Sequence, residues 1–134
     1  MADETTAPGP SDESRFSAFR TAEDLVRRRR PLEALTALEP VLHADPDKAS
    51  VQLLAGRAYF HSAQLRRAEQ ALTRALELDP CDDYARFVLG RTLQRLGRMA
   101  EALGQLRIAT AMNPLPEYHD AVGQVAARVA LTDP

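Results

Sequence analysis

Apolar residues in this chain recur at helical spacing, in short blocks broken by proline and glycine, and the blocks return at one interval. Asp45-Pro46, Asp79-Pro80 and Asn113-Pro114 lie 34 residues apart, as do Ala34, Ala68 and Ala102, and Leu38, Leu72 and Leu106. A period of 34 residues is the length of two short antiparallel helices with their turns. The other half of the unit repeats less strictly. Ala55-Gly56 aligns with Leu89-Gly90 and, more weakly, with Thr21-Ala22, while Tyr59 aligns with Leu93 and Leu25. Three units run over roughly 15–48, 49–82 and 83–116.

Within the units the pattern predicts six helices. Ser14 suits the N-cap of the first, which spans about Arg15 to Arg28 with Phe16, Phe19, Leu25 and Val26 as its apolar residues. Pro31 fits the first turn of the second, which carries Leu32, Leu35, Leu38 and Leu42 to Asp45-Pro46. Pro40 lies inside that helix and is expected to kink it, at a nominal ~3 kcal/mol. The second unit places helices at about Asp47 to Ser62 and Gln64 to Leu78, and the third at about Asp82 to Leu96 and Met99 to Met112. Gly104 weakens the last of these by roughly 1 kcal/mol relative to Ala. A seventh segment, Glu117 to Leu131, has Val122, Val125, Val129 and Leu131 as its stripe and no partner behind it, which predicts a cap over the last unit.

The pattern resembles the tetratricopeptide repeat. The residues that carry it are Leu89-Gly90, Gly97, Ala102, Leu106, Ala109 and Asn113-Pro114 in the third unit, and Gly56, Tyr59, Ala68, Leu72, Ala75 and Asp79-Pro80 in the second. Gly56 and Gly90 let the first helix of a unit approach the second, Ala68 and Ala102 keep the crossing close, and the prolines stop the second helix. The first unit diverges most, with Ala22 for the glycine, Arg29 at the turn and Val41 at the last small position. The resemblance implies an all-α, right-handed α-solenoid of three helix pairs plus a C-terminal capping helix. Residues 14–134 form this domain, and residues 1–13 are read as a flexible acidic tail, too poor in apolar surface to offset the entropy of ordering.

Charge and composition narrow the function classes. The 134 residues hold 17 bases and 19 acids, a net charge of −2, and nucleic-acid-binding domains are usually far more basic. No nucleic-acid partner is therefore expected. Lys48 is the only lysine, an arginine excess that a GC-rich coding bias explains. The single Cys81 rules out an internal disulfide and fits a reducing, cytoplasmic setting. Met1 to Pro10 lacks the apolar run of a signal peptide, and no stretch has the length of a membrane span.

Catalytic and metal chemistry find little support. His43, His61 and His119 fall in different units with no partner at ligand spacing, so neither a metal nor a cofactor is expected. In Asp79-Pro80-Cys81-Asp82-Asp83 the acids serve as helix stop and caps, and they disfavour the Cys81 thiolate. The six glycines are isolated, which excludes a phosphate loop. Arg27-Arg28-Arg29-Arg30 reads as a solvated turn, with a contact for an anionic partner as the alternative.

The aromatic residues point to binding. In the first helix of each unit a second face runs through Phe19, Glu23 and Val26, then Leu53, Arg57 and Phe60, then Phe87, Arg91 and Gln94, joined by Phe16 and Tyr84. The resemblance implies that this face lines a concave groove. Arg20, Arg27, Arg57, Arg91 and Arg95 border the aromatics. The candidate groove is thus Phe16, Phe19, Arg20, Glu23, Leu53, Arg57, Phe60, Tyr84, Phe87, Arg91, Gln94 and Arg95. Guanidinium groups beside an apolar floor suit a protein or peptide with apolar anchors and a carboxylate. Filling the space between units is the bland reading of the same aromatics. Family members that hold the C-terminal carboxylate of heat-shock chaperones use Lys and Asn where this chain has Phe19, Glu23, Leu54, Tyr84 and Val88, which argues against that partner. A non-enzymatic interaction module, monomeric or weakly dimeric, is the first function hypothesis; self-assembly through the groove or the terminal helix is the alternative.

Overall fold

The computed structural model describes residues 11–132 as seven helices. They are α1 (Asp12–Arg27), α2 (Pro31–Ala44), α3 (Ala49–His61), α4 (Leu65–Leu78), α5 (Asp83–Arg95), α6 (Met99–Met112) and α7 (Pro116–Thr132). Each boundary has a local cause. Asp82 Oδ1 accepts from the Ala85 amide at 3.0 Å and caps α5, and Pro31 opens α2 at its first position. The start of α1 differs from the sequence reading. Ser11, not Ser14, is its N-cap: Ser11 Oγ accepts from the Ser14 amide, and Asp12 and Glu13 fill the first turn, where acids favour the helix dipole. The remainder of the expected acidic tail, residues 1–10, lies outside the described residues.

The α1–α2, α3–α4 and α5–α6 pairs cross through the same positions. Leu38, Leu72 and Leu106 are fully buried, each facing the small residue sixteen places earlier. At Gly56 and Gly90 a Cβ would stand only 2.6 Å and 2.7 Å from the Cγ of Leu72 and Leu106. The first pair instead accommodates the methyl of Ala22, which is completely buried. The turn inside each pair needs one left-handed residue, and Arg29 (φ 62), Ala63 (φ 61) and Gly97 (φ 82) hold that place. α2 runs through Pro40 without interruption to Ala44.

The first helices α1, α3, α5 and α7 each touch the next of their kind, whereas among the described residues α2, α4 and α6 do not touch one another. The first helices therefore form the inner, concave layer of an α-solenoid. α7 packs on α6 and touches α5, as α5 does on α4 and α3. It covers the last unit with Tyr118, Ala121 and Val125, which join the cluster of Phe87, Leu103 and Leu106. Of the expected stripe, Val122 and Val129 are partly buried, but Leu131 is 83% exposed and does not contribute.

Candidate functional site

A cavity of about 770 Å³ occupies the concave side of the second and third units and is closed at one end by α7. Tyr84, Phe87 and Val88 of α5 and Val26 of α1 give it an apolar floor. Arg27, Arg29, Arg57 and His61 line it from the side of α1 and α3, Arg91 from α5, and Glu117, Asp120 and Gln124 from α7. The groove is therefore polar across its width, cationic toward α1 and α3 and acidic toward α7.

The guanidinium groups are held by rings and neutral acceptors. Arg57 lies over the Tyr84 ring at 5.7 Å, and its Nε is buried without a hydrogen-bond partner. Arg95 stacks over Phe60 at 4.9 Å and donates to the Phe60 carbonyl at 3.0 Å. Arg91 donates to Gln94 at 2.9 Å and to Gln124 at 3.3 Å. Arg29 Nη1 lies 2.9 Å from His61 Nδ1. Burial, and then the charges of Arg29, Arg57 and Arg95, push the His61 pKa below its ordinary value. Among the described residues, Arg29, Arg57, Arg91 and Arg95 make no ion pair with a carboxylate, whereas away from the groove Arg98 is held between Glu69 at 2.8 Å and Glu101 at 2.7 Å.

Five of the sequence-selected residues meet in this cavity: Arg57, Phe60, Tyr84, Phe87 and Arg91. Phe87 is only 8% exposed and stacks on Tyr118 with centroids 4.6 Å apart, so it is as much core as floor. Gln94 and Arg95 lie beside it through Arg91 and Phe60. Leu53 packs into the core between units. Phe16 and Phe19 are elsewhere, in a separate recess with Val41 and Val51, and Phe16 is 64% exposed. Arg20 and Glu23 pair at 3.8 Å on another part of α1.

The cavity also holds Val26 and Arg27, which the sequence placed on or beside the periodic face, and Arg29, His61, Val88 and the α7 wall, which it did not. A signal for that wall was present: Tyr118 falls 34 residues after Tyr84, so α7 stands where the first helix of a fourth unit would. Tyr118 donates its hydroxyl to Asp83 Oδ2 at 2.8 Å, and burial followed by that contact raises the phenol's pKa well above its ordinary value. Among the described residues no three His, Cys, Asp or Glu side chains are grouped as a metal site, and no helix is long and apolar enough to cross a membrane.

Repeated helix pairs around a concave groove define a helical-repeat protein. The tetratricopeptide repeat model matches residues 25–80 and 63–125, and the chain belongs to that family. The mouse Superkiller complex protein 3 is 29% identical over 102 residues, covering 70% of this chain but 6% of that protein's length. Among solved structures, the first repeat domain of Spaghetti (RPAP3), bound to the HSP90 peptide SRMEEVD, superposes with a TM-score of 0.83 at 16% identity, over 92% of this chain and 99% of that one. MamA gives a TM-score of 0.82 at 19% identity, over 91% of this chain and 72% of that one. These likenesses show the fold.

Proposed function

We propose that the chain is a non-enzymatic protein-interaction module that binds an extended or helical segment of a partner in the groove between α3, α5 and α7. The carrying observation is a set of groove arginines without carboxylate partners among the described residues, set beside an apolar floor of Tyr84, Phe87 and Val88. Guanidinium groups without an anionic partner attract acidic acceptors, and Arg forks onto carboxylates. The segment thus carries an apolar anchor for the floor and an acidic group for the α1–α3 wall. The acidic peptide bound by the Spaghetti domain supports a role of this kind, though this chain lacks the chaperone-clamp residues at the matching positions.

Phe60 and Tyr84 are the residues with which to test this, because Phe87 is tied into the core through Tyr118. Peptides retained from an acidic library by the immobilised protein should bind Tyr84→Ala at least ~30-fold more weakly, the effect of truncating a central anchor by about 2 kcal/mol. The melting transition of that variant should change little, since Tyr84 is 40% exposed. Unchanged affinity in Tyr84→Ala would remove the groove as the binding site.

A further inference from the structure

The cationic end of the groove gathers more positive charge than one carboxylate uses. Arg29 reaches His61 from the turn between α1 and α2, with Nη1 2.9 Å from Nδ1 and 3.2 Å from Nε2. Arg57 stands one helical turn before His61 on α3, with its buried Nε unpartnered. Arg95 comes from α5 over the Phe60 ring, which meets the His61 ring edge-on at 5.4 Å. Guanidinium groups from three successive units thus converge on one imidazole. Arg95 stands beside the cavity, and the charged groups that line it with Arg29 and Arg57 are Arg27 and Arg91 and, on α7, Glu117 and Asp120. Among the described residues Arg27 has an ion pair, with Asp24 at 3.4 Å, whereas Arg29, Arg57 and Arg95 have none.

A carboxylate brings one negative charge. A phosphate monoester brings about −1.5 to −2 and three strong acceptor oxygens, the better match to the guanidinium groups of Arg29 and Arg57 and a ring nitrogen, with the charge of Arg95 beside them. We propose that this end of the groove is a phosphate subsite for a phosphoserine or phosphothreonine of the partner segment, whose apolar residues then lie along Tyr84 and Val88. The inference rests on the peptide-binding function and specifies its anion. His61 deepens it. In the free protein partial burial, and then the charges of Arg29, Arg57 and Arg95, hold the His61 pKa below its ordinary value. A bound dianion reverses the local field, so the ring takes up a proton and becomes a further donor. Affinity should therefore rise as falling pH protonates the imidazole, and decline below about pH 6, where the phosphate itself gains a proton.

The test uses the full chain and three oriented peptide libraries that differ only at the central position: phosphoserine, glutamate or serine. The expected result is retention of the phosphoserine library about tenfold above the glutamate library, with the His61 pKa, read from its ring protons by NMR, rising by about one unit in the presence of O-phosphoserine. Arg29→Gly is the informative variant, because its left-handed φ of 62 suits glycine: the fold should gain stability while the preference for phosphoserine is lost. His61→Asn should remove the rise in affinity on acidification, keep the decline below about pH 6 that belongs to the phosphate, and leave the fold intact. Equal retention of the phosphoserine and glutamate libraries would overturn the phosphate subsite and leave the peptide groove standing. Retention of no library would overturn both. Displacement of the phosphopeptide by a single-stranded RNA of equal charge at equal concentration would assign the site to nucleic acid and overturn the proposal.

Discussion

Three positions recur at the same place in each pair and show what a single residue costs this architecture. At Gly56 and Gly90 the helices approach until a methyl group meets the Cγ of Leu72 or Leu106 below 3.0 Å. Gly90→Ala is expected to destabilise the chain by about 1–3 kcal/mol, as overpacking a core does. Gly104→Ala has open space around its Cβ and should stabilise α6 by about 1 kcal/mol. Urea denaturation of the two variants checks both signs. Arg29 and Ala63 occupy the left-handed turn that Gly97 fills without strain, so Ala63→Gly should gain about 1 kcal/mol. The glycines were legible in the sequence as spacing, but the strain at Arg29 and Ala63 was not, because nothing in those residue types announces a positive φ. His61 sets a pH dependence. Its folded pKa lies below the unfolded value of 6.5, so the unfolded chain binds more protons below that value. The His61 contribution to stability is present above pH 6.5 and lost as pH falls through the folded pKa, and His61→Asn should flatten that part of the profile.

At the scale of elements, the order and bounds of the helices followed from periodicity, and α6 falls on Met99–Met112 as the spacing indicated. Caps were harder to place. Ser11 and Ser14 flank Asp12 and Glu13, and the choice between them as cap turns on whether those two acids join the helix. For α7 the stripe of valines gave the right face in part and hid the anchor. Tyr118 does more than any valine, since it stacks on Phe87 and bonds Asp83, which also accepts from Asn113 at 3.2 Å. Tyr118→Phe should cost about 0.5–1.5 kcal/mol by losing one hydrogen bond, and Tyr118→Ala about 3–5 kcal/mol by opening a cavity against Phe87. Ending the chain at Leu115 should expose Leu103 and Phe87 together and lower the melting temperature more than either substitution. A chain so shortened that melts like the whole would show that α7 is no cap.

For the molecule as a whole, charge is arranged by side. On the outer surface arginines bridge neighbouring elements through carboxylates, as Arg74 does to Asp47 at 2.7 Å and Arg98 to Glu69 at 2.8 Å. In and beside the groove, arginines rest on rings, amides and a carbonyl. The fold and the aromatic–arginine character of the groove were legible because both repeat with the helical and 34-residue periods. The extent of the cavity was not. Phe16 and Phe19 share the periodic face, yet the groove follows the curvature of the array toward α7, and curvature is set by how helices touch rather than by spacing along the chain. If acidic segments bind here, Arg57→Ala with Arg91→Ala should weaken them most at low salt, since screening already weakens the same attraction at high salt. The most direct measurement is a titration of the isotope-labelled chain with the acidic peptide best retained from the library, followed by backbone and arginine side-chain NMR signals. The expected result is saturable shifts at Arg57, Phe60, Tyr84, Val88, Arg91 and Gln124 that the double arginine variant loses while its melting transition is kept. Saturable shifts confined to α2, α4 and α6, or undiminished affinity in the double variant, would contradict a binding groove on the concave face.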